Sequence, residues 1–178
     1  MKTQVFYFKL VFLIIIGTGL LHAQTNEADS GFFHQSFGDL SDELQTAKEE
    51  GKKGVFVMFD DKDCPWCQKM KTTVLNQEEV QEYFTNYFRI IRVDTNGDAL
   101  ITDFDGNETT EKDFAEKSRV RATPVIVFYD LQGKPINRYI GATRNVQEFM
   151  WMGEFVVEEH YKTQSFPIYK RKKKKGEI

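Results

Sequence analysis

Val55-Phe56-Val57-Met58-Phe59-Asp60-Asp61-Lys62-Asp63-Cys64-Pro65-Trp66-Cys67-Gln68-Lys69-Met70 is the stretch on which the fold depends. Its first five residues form an unbroken apolar run of strand length, the pattern of a central strand buried on both faces. Polar residues follow, and a cysteine pair then opens a helix expected to run through Met70 to about Leu75. A strand that passes straight into a helix places Cys64 where unpaired backbone N–H groups and the helix dipole favour an anion. Pro65 suits the first helical position, where its missing N–H would have had no partner.

That position gives Cys64 a chemical role. A thiol attacks a disulfide only as thiolate, and an ordinary cysteine, with a pKa of about 8.5, is mostly protonated at neutral pH. A helix N-terminus lowers the value into a range of about 3.5–7.5. Cys67 lies one turn on, on the same face and close enough to bond Cys64, and is expected to be the more buried, resolving thiol. Trp66 stands between the sulfurs, placed to give apolar contact to a partner chain.

Other uses of the cysteines are weaker. Three residues apart, they close almost no loop and would make a poor structural staple. A zinc site would need further ligands, but the chain has no other cysteine, and His34 and His160 lie far from the motif in sequence. No metal and no other cofactor is expected. Asp94-Thr95-Asn96-Gly97-Asp98 opens like a calcium loop, yet Ala99 and Asp105 stand where a glycine and a bidentate glutamate are required. Asp60, Asp61 and Asp63 read as solvated loop charges.

Working outward, Leu40, Leu44 and Ala47 recur at helical spacing behind Ser41, a candidate N-cap, and Gly51 to Gly54 ends that helix. Asn76 with Glu79 three later reads as a capping signal for a helix carrying Val80, Tyr83, Phe84 and Tyr87 on one side. Phe88 to Val93 is the next strand. Asp94 to Thr109 is a loop or short hairpin turned at Asp105-Gly106-Asn107, and Thr110 to Ser118 a short helix. Thr123-Pro124 precedes a second apolar strand, Val125 to Tyr129, joined by a turn at Gln132-Gly133-Lys134 to Pro135 through Ile140. A last helix begins near Asn145. The order α-β-α-β-α-β-β-α fits the α/β class, a mixed central sheet flanked by helices.

The 178 residues suit one domain. Residues 1–23 read as a signal peptide, with Lys2 and Lys9 ahead of the apolar run from Leu10 to Leu21 and a small residue, Ala23, before Gln24. Residues 24–36 read as a flexible leader, 37–162 as the folded domain and 163–178 as a basic disordered tail. The formal charge of −3 conceals an asymmetry: Lys170 to Lys175 contributes +6, whereas Gln24 to Tyr169 holds 16 basic and 26 acidic residues, a net of −10. An acidic body argues against nucleic acid as a partner.

Strand, Cys64-Pro65-Trp66-Cys67, helix and a later Thr123-Pro124 before a strand together resemble the thioredoxin superfamily, from about Phe37 to His160. Cys64-Pro65-Trp66-Cys67-Gln68-Lys69-Met70 and Ile101-Thr102-Asp103-Phe104-Asp105-Gly106 are similar to SoxW-type periplasmic thioredoxin-like proteins. The resemblance implies a thioredoxin fold, with Cys64 and Cys67 catalytic and Pro65, Trp66, Thr123 and Pro124 contacting substrate. It implies a cis Thr123-Pro124 bond beside the cysteines and a Thr123 backbone that pairs with the partner chain as an added strand. The implied activity is thiol–disulfide exchange with protein dithiols and disulfides. The protein is expected to be an exported, periplasmic monomer that reduces protein disulfides and is itself kept reduced by a membrane thiol carrier of the DsbD or CcdA kind. The alternative is a non-catalytic binding or chaperone-like module on the same scaffold, which would need neither sulfur. One departure stands out. Thioredoxins proper carry a buried aspartate six residues before the first cysteine, and Met58 takes that place here.

Overall fold

The computed structural model describes residues 31–178. The expected signal peptide and residues 24–30 of the expected leader lie outside them. The apolar run after Gly51 forms β1 (Gly54–Asp60), which pairs in parallel with β2 (Phe88–Asp94) and antiparallel with β5 (Val125–Tyr129). On the outer side of β5 lies β6 (Pro135–Ile140), giving a mixed sheet of order β2-β1-β5-β6. Helices cover both faces, so this is the expected thioredoxin fold.

All seven residues of β1 are buried, and alternation along the strands divides the core in two. Phe56, Met58, Ile90 and Phe128 face α2 (Pro65–Thr73), α3 (Glu78–Tyr87) and α5 (Val146–Val157). Val55, Val57 and Phe59 face α1 (Leu40–Glu49) and α4 (Glu111–Lys117). Gly153 lets α5 approach α3 closely, since a Cβ there would come within 2.8 Å of the Tyr83 and Phe84 rings. A separate hairpin, β3 (Leu100–Thr102) and β4 (Glu108–Thr110), fills the segment read as loop or hairpin. Its turn is held by the buried Asp103, which accepts from the backbone N–H groups of Asp105 and Asn107 and from Lys117 Nζ at 2.7 Å.

The structure departs from the sequence reading at the leader, at two helix caps and in the tail. The leader's end is not loose: Phe32 is 1% exposed and packs edge-on against Phe56 and Phe149, and the His34 N–H donates to the Ile90 carbonyl at 2.9 Å. The N-cap of α1 is Asp39, whose carboxylate accepts from the N–H groups of Ser41 and Asp42. Asn76 is not the cap of α3; its side chain donates instead to the Thr72 carbonyl near the end of α2, and Gln77 precedes α3 without a side-chain cap.

The basic tail, read as disordered, folds as α6 (Phe166–Lys175). Phe166 and Tyr169 bury one face of it against Phe155. On the same face Lys170 pairs with Glu148 at 2.8 Å and Lys173 with Glu154 at 2.7 Å. Lysines in the last turn also suit the negative end of the helix dipole, so the run of like charge is compatible with helix.

Candidate active site

β1 ends at Asp60 in the middle of the sheet, and α2 begins five residues later. Cys64 is the N-cap of α2, in extended conformation, and its Sγ accepts the Cys67 N–H at 3.1 Å. A sulfur thus takes the place that a serine or aspartate oxygen takes in an ordinary cap, and a thiolate there would accept more strongly than a thiol. Pro65 occupies the first turn, as expected. Cys64 and Cys67 are joined by a disulfide, with Cα atoms 5.3 Å apart. Cys64 is 7% exposed and Cys67 fully buried.

Trp66, between them, is 58% exposed, and Lys69 Nζ sits 5.3 Å from its ring centroid. Thr123, from the segment before β5, lines one groove with Trp66. The Thr123–Pro124 bond is cis, in keeping with the resemblance, and the buried Pro124 presents its carbonyl to the Gly141 N–H at 2.8 Å. Among the described residues, no three His, Cys, Asp or Glu side chains converge where they could hold a metal ion.

The sequence matches the model of the thioredoxin-like domain over residues 40–156. The chain belongs to the thioredoxin-like family. It is similar in structure to a thioredoxin-fold protein from Helicobacter pylori, at 21% identity and TM-score 0.58, covering 70% of this chain and 86% of that one. A thioredoxin from Thermus thermophilus shares 24% identity at TM-score 0.55, over 71% of this chain and 88% of the other. DsbH oxidoreductase shares 19% identity at TM-score 0.50, over 81% and 94%. At these identities the likenesses establish the shared fold. No curated protein matches the sequence.

Within this thioredoxin-like domain, Met58 is buried in the same apolar cluster as Cys64, Cys67 and Met70. The acid that sequence reading placed in solvent is buried instead. Asp60 is 0% exposed, receives a hydrogen bond from Arg92 Nε at 2.7 Å, and forms an ion pair with Lys71 Nζ at 2.8 Å. Lys71 falls one helical turn after Cys67, so a lysine was to be expected on the buried face of α2, and a buried ammonium requires a partner. That spacing was the available signal for Asp60. Asp61 and Asp63 stay at the surface, the Asp61 carboxylate capping the Asp63 N–H. The family and the cysteine pair at the start of α2 together support thiol–disulfide oxidoreductase activity.

Proposed function

We propose that the protein is an exported, SoxW-type periplasmic oxidoreductase that reduces protein disulfides through Cys64 and Cys67. The observation that carries this reading is the inequality of the two sulfurs. One caps a helix N-terminus at the edge of the surface, and the other is wholly buried one turn behind it. Cys64 thiolate attacks a substrate disulfide, one substrate sulfur leaves and takes a proton, and a mixed disulfide remains. Cys67 then loses its proton and attacks Cys64 Sγ, releasing the second substrate thiol and leaving the Cys64–Cys67 disulfide. Two electrons pass from the dithiol to the substrate. Trp66 supplies apolar contact, the Thr123 backbone pairs with the substrate strand, and Pro65 and Pro124 fix the backbone on either side.

The cysteine count supports the direction. An exported domain with no other disulfide gains nothing from an oxidising compartment except oxidation of its own site, so the dithiol must be renewed. A membrane thiol carrier of the DsbD or CcdA kind would supply the electrons to the monomer. The test is insulin reduction by dithiothreitol. The intact protein should accelerate it and Cys64→Ser should not. A lack of acceleration by the intact protein would favour a binding module. Envelope fractions should contain a chain beginning at Gln24, and an intact Met1 in the cytosol would contradict export.

A further inference from the structure

A groove of about 420 Å³ lies against the redox centre, with α2 as one wall and Thr123 and the Gly141–Arg144 loop as the other. Its charge is one-sided. Lys69 and Arg144 line it, and no carboxylate does. Neither cation forms an ion pair with a described residue. The groove on the other side of Thr123 is different, since Asp61 and Glu116 there offset Lys112 and Arg121. Selection by charge is therefore possible on the Trp66 side and weak on the other.

A second observation is independent of charge. Thr143, 7% exposed, lines the Trp66 groove, and its buried Oγ1 has no hydrogen-bond partner in the protein. Buried hydroxyls are nearly always paired, because an unpaired one loses its water without compensation. A hydroxyl can donate to an anionic oxygen beside two cations.

Resting on the oxidoreductase reading, we propose that this groove is a substrate subsite selecting acidic segments. An Asp or Glu carboxylate flanking the substrate cystine is held by Lys69 and Arg144 and accepts from Thr143 Oγ1, while the neighbouring apolar atoms lie on Trp66. The site has to be local. With α6 included, Gln24 to Ile178 holds 22 basic and 27 acidic residues, a net −5 that repels acidic proteins at a distance, and only charges within a Debye length of about 8 Å at physiological salt can reverse that.

The experiment uses the purified protein, dithiothreitol as reductant, and three peptides with the same cystine ring flanked by Glu, Gln or Lys. In each turnover the ring S–S bond is reduced to two thiols as Cys64 and Cys67 become a disulfide, which dithiothreitol then reduces. At physiological ionic strength, kcat/KM for the Glu peptide should exceed that for the Gln peptide about tenfold, with the Lys peptide lowest, and the preference should shrink as further salt is added. The Lys69→Gln/Arg144→Gln double variant should bring the Glu-to-Gln ratio close to one, and Thr143→Val should lower it. Lys48→Gln on α1, which removes a positive charge outside the groove, should leave the ratio as it was. Equal rates for the three peptides, or a preference that survives the double variant, would overturn the acidic subsite and leave the oxidoreductase standing. Failure to reduce any of the three would overturn both.

Discussion

Lys71 Nζ lies 2.8 Å from Asp60 Oδ2, with side-chain exposures of 4% and 0%, so the charged pair is sealed between the end of β1 and the last turn of α2. Arg92 Nε reaches the other carboxylate oxygen. Removing one member of a buried pair is more damaging than never having had it, because a charge then remains without its counter-charge in low dielectric. Asp60→Asn removes the carboxylate that both cations share and should cost about 3 kcal/mol of stability. Lys71→Met should cost less, since Arg92 still neutralises Asp60. Urea denaturation of the two variants measures the order, and a larger loss for Lys71→Met would contradict it.

Cys64 should react first. With Cys64 Sγ at the helix N-terminus and Cys67 fully buried, iodoacetamide at mildly acidic pH should label Cys64 in the reduced protein well before Cys67. Cys67→Ser should accumulate mixed disulfides with substrates. Mass spectrometry locates the label, and early labelling of Cys67 would reverse the assigned roles.

Stability should fall as the pH drops below neutrality, and His34 is the reason. Burial, and then the nearby Arg89, push its imidazole below the ordinary value of 6.5. Nδ1 accepts the Ile90 N–H at 3.0 Å, which requires that nitrogen unprotonated. The unfolded chain therefore binds a proton more readily than the folded one. The stabilisation is complete above about pH 6.5 and is lost as the pH falls from there through the lower folded-state value. His34→Asn, whose Oδ1 can accept the same bond, should flatten the thermal-stability profile between pH 7 and pH 5. An unchanged slope would assign it to another group.

Phe166→Ala tests the docking of α6. The ring is 6% exposed and packs on Phe155 and Tyr139, so its removal should cost about 3 kcal/mol in chemical denaturation. A disordered tail would show no change.

What could be read from sequence follows from how local each determinant is. β1 and β5 were legible as apolar runs of strand length, and the cysteine motif marked the strand-to-helix turn between β1 and α2. α6 was hidden because its partners Glu148, Glu154 and Phe155 sit on α5, and a run of lysines read alone suggests solvent. Asp60 was hidden for a similar reason, its two cations coming from α2 and β2. Thr143 and Arg144 reach Trp66 only through the β5–β6 hairpin, a contact between distant segments that no local pattern records.

The reduction potential of the Cys64–Cys67 couple tests the central claim most directly. The protein, equilibrated against defined ratios of reduced to oxidised dithiothreitol or glutathione and quenched with acid, gives the potential from its dithiol fraction. A protein-disulfide reductase renewed from a membrane carrier should lie near the thioredoxin value of about −270 mV. A value above about −150 mV, close to the strongly oxidising DsbA end at about −120 mV, would contradict the assignment as a reductant.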